Sequence, residues 1–309
     1  MTILVLGGGK STEREVSLRS AKAVAEALRT AGYVVQEADP ADGESVLQSL
    51  PLDTIVFPIL HGAGGEDGEI QYWLEKANLP YLGTQSAQSV VCFDKAKTRE
   101  VLSSNNLPVA EGAAVSRMTY PEHPLHNRPH VLKISQGGSS IGTYLVPKPE
   151  ASDPDKVNEV FELGDEAVIE ELVEGAEITV PILDEHVMPV IEIQPPPDQS
   201  FDYENKYNGA TKELCPPVSI DQATQQRAQE LALKAHQALG CRHLSRTDMI
   251  VRPTGEIVIL ETNTMPGMTG QSLLPVAAKA EGMDMPALVT KFVDMVVRDY
   301  GLERKSSEA

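Results

Sequence analysis

Residues 3–31 read ILVLGGGKSTEREVSLRSAKAVAEALRTA. Ile3–Leu6 is an apolar run of strand length that ends in Gly7, Gly8 and Gly9. From Val16 to Ala31 the periodicity changes: Ala21, Val24, Ala25 and Leu28 recur at helical spacing. A strand, a glycine turn and a helix follow each other within thirty residues. The pattern continues with strand candidates at Tyr33–Ala38 and Thr54–Leu60. A helix is expected at Gly68–Ala77, with Ile70, Trp73, Leu74 and Ala77 on one stripe. Such alternation predicts a parallel sheet covered by helices, an α/β fold.

Beyond residue 90 the pattern becomes mixed. Asp94–Asn106 reads as a polar helix stopped at Leu107-Pro108. Residues 116–130, SRMTYPEHPLHNRPH, carry three prolines and three histidines and read as an irregular connector. Strands are expected at His130–Ile134 and Thr143–Val146, joined by a Gly/Ser loop, with a short helix at Asp153–Phe161. Ala167–Leu172, Glu177–Leu183 and Val187–Gln194 are β-rich. Residues 195–217 read as a long polar loop bracketed by prolines, a length that points to function. Asp221–Leu239 is an amphipathic helix ended by Gly240. His243–Val251 and Glu256–Glu261 read as a hairpin through Pro253–Gly255, and helices near Ser272–Glu281 and Pro286–Tyr300 close the fold. The tail KSSEA is expected to fray.

The chain has 309 residues and a formal net charge of −19, unevenly spread. Between Glu150 and Glu204 stand 17 acids and one base, so one stretch carries −16 of the total. Nucleic-acid and anionic-membrane binders need a basic excess for phosphate contacts, and none is visible. An apolar content of 41% with 23% charged residues is that of a globular chain. No apolar run approaches a membrane span, and MTILVLGGGK reads as a first strand, not a signal peptide. Cys92, Cys215 and Cys241 lack metal-ligand spacing and read as core thiols in a reducing, cytoplasmic setting.

Five stretches carry chemistry. Gly7-Gly8-Gly9 before a helix is either an anion cradle or a tight structural turn, and Glu13 and Glu15 read most simply as helix-capping acids. His61-Gly62-Ala63-Gly64-Gly65-Glu66-Asp67-Gly68 follows a strand, where open α/β sheets place ligands, and His61 faces either a substrate or the core. Lys133 precedes the loop SQGGSSIG (135–142), whose backbone N–H groups suit phosphate oxygens. Asp248 lies on one strand of the hairpin, and Glu261 and Asn263 share a face of the other beside Arg246. These oxygen donors suit Mg²⁺. In the long loop, FDYENKY (201–207) offers Lys206 as a lid lysine.

Taken in order, GGKSTEREVSL (8–18), HGAGGEDG (61–68), GSSIG (138–142), FDYENKY (201–207) and ETNTMPGMT (261–269) resemble the D-alanine–D-alanine ligases of the ATP-grasp superfamily, over nearly the whole chain. The resemblance implies an ATP-grasp fold: an N-terminal Rossmann-like (preATP-grasp) domain over 1–93, a central α+β subdomain over 94–174, and a C-terminal one over 175–309 that carries the 195–217 lid. It implies that Lys95 and Lys133 contact ATP phosphates, with Ser140 in the phosphate loop. Glu170, Glu171, Leu172 and Val173 would read adenine, and Glu177 the ribose. Asp248, Glu261 and Asn263 would hold two Mg²⁺ (or Mn²⁺), and Lys206 would approach the γ-phosphate. Glu13, Ser139 and Tyr207 would tie the lid over the first D-alanine. Arg246 and the Gly267 N–H would stabilise an oxyanion, and Ser272 and Leu273 would receive the second D-alanine. Cytoplasmic location and a homodimer are expected, with no nucleic-acid or membrane partner.

Several positions depart from the family pattern. Ile134 replaces a usual proline, Gln136-Gly137 replace a longer charged side chain, and Leu172 stands where an aromatic is frequent. The short connector at 116–130 implies a trimmed central domain and an altered nucleotide affinity. Three rival readings fit the sequence less well. A D-lactate or D-serine ligase is disfavoured by Tyr207. A nucleotide-dependent oxidoreductase lacks its G-x-G-x-x-G, and a regulatory nucleotide-binding module would not need both a metal set and a lid lysine.

Overall fold

The computed structural model describes residues 1–48, 50–138, 141–194 and 211–302. Its first sheet is parallel, with β1 (Thr2–Leu6) between β2 (Val34–Ala38) and β3 (Ile55–Pro58). Side chains alternate along a strand, so β1 serves two cores. Ile3 and Val5 pack with Val24 and Leu28 of α1 (Arg14–Thr30), while Leu4 and Leu6 pack with Ile70 and Leu74 of α2 (Glu69–Lys76). Coverage of both faces explains the unbroken apolar run that marks this strand in the sequence.

Two helices, α3 (Ser86–Phe93) and α4 (Lys95–Ser104), lead into an antiparallel four-stranded sheet. Asp94 separates them, and its carboxylate accepts the Lys97 N–H as the cap of α4. The sheet order is β4-β7-β5-β6, with β4 Gly112–Ser116, β5 His130–Ile134, β6 Thr143–Val146 and β7 Glu166–Glu171. One face is covered by α5 (Pro154–Glu162) and by the connector. There Tyr120 and Leu125 enter the core with Phe161 from short 3-10 turns, each with a proline in its first turn. The Tyr120 hydroxyl lies 2.8 Å from His130 Nε2. The irregular connector thus fills in for a covering helix.

The third sheet runs β11-β10-β8-β12-β13, with the short β9 (His186–Val187) added on β8 (Ala176–Leu183). Its other strands are β10 (Ile191–Gln194), β11 (Lys212–Leu214), β12 (Leu244–Val251) and β13 (Ile257–Asn263). Ile178, Val180, Ile182 and Met249 form one face, packed on Ala228, Ala232 and Ala235 of α6 (Gln222–Ala238). Asp221 caps that helix by accepting the Thr224 N–H at 2.9 Å, a bond typically worth about 1 kcal/mol. The opposite face is polar and is described below. Two helices follow, α7 (Leu273–Ala280) and α8 (Met285–Asp299). The last returns to the first sheet, where the Phe292 ring lies 6.2 Å from that of Phe57.

Three local readings change. Residues 212–214, expected within the polar loop, form β11 and pair with β10 (Ile193 opposite Glu213). Short polar strands are tolerated at a sheet edge, and no apolar alternation marks them in the sequence. The helix α3 and the strand β4 (GAAVS) went unread because neither has clear periodicity or strong propensity. Cys92 and Cys241, treated as separate core thiols, meet with 3.8 Å between sulfurs, and this contact together with burial pushes the Cys92 thiol well above its ordinary range. Among the described residues no helix is long and apolar enough to cross a membrane.

Candidate active site

The polar face of the third sheet gathers the expected hairpin residues by register. Asp248 stands opposite Thr179 on β8 and Glu261 on β13, and Arg246 stands opposite Asn263. Directly opposed residues of an antiparallel pair point to the same side, so all five share one face. A register shift after Asp248 lets the β13 strand pass from Glu261 to Ile259 with one residue extra, and this re-aims the strand beside the site. Arg246 grips Asp248 with two bonds, Nε to Oδ1 at 2.8 Å and Nη2 to Oδ2 at 2.7 Å. Thr179 Oγ1 and Asn263 Nδ2 also donate to that carboxylate. Asp248 is only 6% exposed, so the guanidinium supplies the counter-charge that its burial requires.

The four-stranded sheet faces this array. Lys133 Nζ lies 2.8 Å from Glu170 Oε2, and Arg99 reaches the other oxygen at 3.2 Å. Burial alone would discharge both partners. Instead Glu170, helped by Glu261 and Glu177, raises the Lys133 pKa above its usual value, and Lys133 with Arg99 lowers that of Glu170. Lys133 therefore feels carboxylates from both sheets. Lys95 Nζ donates to the Gly137 carbonyl at 2.6 Å, and Asp94 accepts from Ser135 Oγ and Gln136 Nε2, which pins the start of the Gly/Ser loop to α4. In the linker after β7, the Glu171 and Leu172 N–H groups donate to the carbonyls of Glu111 and Pro129. Val173, itself buried, has no such partner for its N–H among the described residues.

The N-terminal loops close a third side. The glycine turn is structural: Gly8 N–H donates to Ser17 Oγ, and Gly9 N–H to Asp39 Oδ1, itself paired with Arg14 at 2.6 Å. Its donors are used within the protein. Glu13, read most simply as a capping acid, occupies the N-cap position of α1 without a side-chain cap bond. Its Oε2 lies instead against two glycines, where a Cβ would come within 2.8 Å at Gly62 and 2.6 Å at Gly138. Glu13 thus abuts the loop that leads to Ser139. His61 is buried, its Nδ1 3.1 Å from the Met265 carbonyl and its Nε2 3.2 Å from Ser20 Oγ. It lines the cavity wall with both ring nitrogens engaged by protein.

The third sheet and the N-terminal loops line a cleft of about 770 Å³, bordered among others by Glu13, His61, Arg246, Glu261, Asn263 and the 265–273 segment. A smaller cavity of about 30 Å³ lies beside it, between Lys95, Gly137, Glu261 and Asn263. Gly267 lines the cleft and its N–H has no protein partner among the described residues. Ser272 is the N-cap residue of α7 but makes no cap bond, and its hydroxyl lies 2.9 Å from Thr269 Oγ1. The first N–H of α7, at Leu273, likewise has no partner among the described residues, and Leu273 lines the cleft. Ser139, Ser140, Lys206 and Tyr207 lie outside the described residues.

Among the charged lining residues, three carry no role in the sequence reading: Glu66, Glu213 and Arg19. Glu66 sits in the HGAGGEDG stretch and accepts the Gly62 N–H at 2.7 Å. Its acidity was the available signal. Burial, with Glu13 nearby, pushes its pKa up to about 8. Glu213 and Arg19 gave no signal, since polar residues on an edge strand or a helix are ordinarily solvated.

Buried histidines make the fold acid-sensitive. Burial lowers His61, His236 and His243 to about 4 from the ordinary histidine value of 6.5. As pH falls below 6.5 the unfolded chain takes up protons that the folded chain refuses, so stability declines down to pH 4. Glu66 acts oppositely, since the folded form holds a proton between about 4.5 and 8. Near pH 5 the net difference is close to two protons, so stability should fall by roughly 2–3 kcal/mol per pH unit. Urea midpoints at pH 7 and pH 5 check this, and equal midpoints would contradict it.

The donor set suits a hard divalent cation. Asp248, Glu261 and Asn263 offer carboxylate and amide oxygens on one face, as Mg²⁺ or Mn²⁺ requires. Among the described residues no group of three or more His, Cys, Asp or Glu side chains is placed to hold a metal, so the set reaches three only through the amide of Asn263. The site therefore suits a cation that completes its shell with substrate oxygens.

Comparison with known proteins agrees with this geometry. Residues 101–294 match the family model described as D-ala D-ala ligase C-terminus. The D-alanine–D-alanine ligase of Xanthobacter autotrophicus is 40% identical over 98% of this chain and 99% of its own, and that of Halalkalibacterium halodurans is 39% identical over 96% and 100%. Among solved structures, the Bacillus anthracis D-alanine–D-alanine ligase superposes with a TM-score of 0.83 at 30% identity, covering 97% of this chain and 99% of that one. The VanG D-Ala:D-Ser ligase of Enterococcus faecalis superposes with 0.82, also at 30% identity, over 96% and 99%. With a family model over more than half its length and relatives this similar end to end, the chain belongs to the D-alanine–D-alanine ligase family.

Proposed function

We propose that this chain is an ADP-forming ligase that joins two D-alanines, with ATP, through a D-alanyl phosphate. Its product is D-alanyl-D-alanine for peptidoglycan precursors. The observation that carries the reading is the polar sheet face: Arg246, Asp248, Glu261 and Asn263 share it, Arg246, Glu261 and Asn263 line the cleft, and the field of Glu261 reaches Lys133. A carboxylate is a poor acyl donor at neutral pH, and phosphorylation converts it to a good one. ATP needs cations at its phosphates, and Lys95 and Lys133 would supply them. The unpaired N–H of Val173 and the carbonyls of the 170–172 linker suit the adenine edge, with Glu177 toward the ribose. The Lys133–Glu170 pair holds that lysine charged until a nucleotide enters. Asp248, Glu261 and Asn263 would hold two Mg²⁺, which would offset the charge of the phosphates.

In the second half-reaction the amine of the second D-alanine attacks the acyl carbon, and negative charge develops on its oxygen. The Arg246 guanidinium and the Gly267 N–H line the cleft and suit that oxyanion. The N-terminus of α7 at Ser272 and Leu273 suits the second carboxylate, because unpaired helix N–H groups favour anions. Glu13, with Ser139 and Tyr207 of the lid, orients the first D-alanine, and Lys206 meets the γ-phosphate. His61 acts as a wall that holds the Met265 backbone in place. We read the chain as three functional units, residues 1–93, 94–174 and 175–309, in a cytoplasmic homodimer with no nucleic-acid partner. The test is dipeptide formation: purified chain with ATP, Mg²⁺ and D-alanine should yield D-alanyl-D-alanine by mass spectrometry, and L-alanine should not. Absence of dipeptide refutes the reading. Preferential product from D-serine or D-lactate would refute only the choice of second substrate, which the structural likeness to the VanG ligase makes worth measuring.

A further inference from the structure

The cleft must admit two amino acids, each with a carboxylate, into a chain of net charge −19. Among the described residues, four carboxylates line it, from Glu13, Glu66, Glu213 and Glu261. The cations among those described lining residues are Arg246 and Arg19. Arg246 is 13% exposed and is committed to Asp248 by two bonds. Arg19 differs in both respects. It is exposed on α1, and it has no ion pair or hydrogen bond to any described residue. Six and three residues before it on the helix, Glu13 and Val16 also line the cleft. The adjoining Ser20 accepts the Met268 N–H at 3.3 Å, which places this stretch of α1 against the 265–273 segment. That segment ends at the N-terminus of α7, where Ser272 makes no side-chain cap bond.

Resting on the ligase reading above, we propose that Arg19 is a positioning residue at the mouth of the cleft that attracts and holds the carboxylate of the second amino acid against the N-terminus of α7. An unpaired guanidinium at an acidic mouth creates a local attractive potential that the whole-chain charge conceals. It also discriminates among second substrates, because an amine lacking a carboxylate gains nothing from it. Since the mouth is solvated, the contribution falls within the range of exposed ion pairs and weakens with salt.

The test uses the full chain in a coupled ADP-release assay with saturating ATP and Mg²⁺, varying D-alanine over a NaCl series. Arg19→Gln should raise the KM for the second D-alanine about three- to fivefold, with kcat within twofold of the parent. It should also flatten the salt dependence of kcat/KM, and Arg19→Lys should restore most of both. Arg29→Gln makes the same charge change at the far end of α1, in an arginine paired with Glu37, and should leave KM unmoved. An unchanged KM in Arg19→Gln, a loss confined to kcat, or an equal KM rise in Arg29→Gln overturns the assignment while leaving the ligase reading intact. A parent enzyme that forms no dipeptide removes both.

Discussion

Arg246→Ala lowers kcat by about 10²–10³-fold, the usual cost of removing one preorganised oxyanion donor. Two effects combine in that variant, because Asp248 is also left buried without its bidentate partner. Breaking a buried pair typically costs about 3–5 kcal/mol, so the melting temperature should fall as well. Arg246→Lys separates the two effects. It keeps a positive charge beside Asp248 but cannot reproduce a planar fork. The lysine variant should melt close to the parent and still lose at least about tenfold in kcat. Steady-state phosphate release and thermal melts check both variants, and a lysine variant with full kcat would remove Arg246 from the chemistry.

Glu261→Gln raises the Mg²⁺ concentration for half-maximal activity by about tenfold or more, because a cation site loses one of its two carboxylate charges. Glu261 lies directly across the ladder from Asp248, and its field reaches Lys133 on the facing sheet. The fold itself should tolerate the change, since glutamine preserves shape on a polar face. A Mg²⁺ titration of phosphate release at fixed ATP provides the check, and a curve that overlays that of the parent would exclude Glu261 as a ligand.

How much of this was legible before the structure depended on how each residue signals itself. Ile3–Leu6 and the α1 stripe announced a parallel strand and its covering helix, because burial on both sides demands unbroken apolar residues there. That Glu261 and Asn263 share a face was readable from strand alternation, but the direct pairing of Asp248 with Glu261 was not, because it depends on the extra residue that shifts the register after Asp248. The commitment of Glu13 to the glycines of two distant loops was not readable, since helix-capping acids look the same in sequence. Nor was the return of Phe292 to Phe57, which depends on tertiary packing rather than local pattern. The glycine turn at Gly8 was ambiguous for the same reason: its donors are consumed by Asp39 and Ser17, and only Asp39 comes from another strand end. Global charge excluded nucleic acid as an expectation but concealed the cation at Arg19, because a net total cannot register placement.

The central claim is a phosphorylated carboxylate, and oxygen tracing tests it most directly. D-alanine labelled with ¹⁸O in its carboxylate is incubated with the chain, ATP and Mg²⁺, and the released phosphate is weighed by mass spectrometry. Attack of the carboxylate on the γ-phosphorus, followed by displacement at carbon, carries one ¹⁸O per dipeptide into phosphate. Phosphate free of ¹⁸O, released in step with dipeptide, would contradict the acyl-phosphate route and the reading built on it.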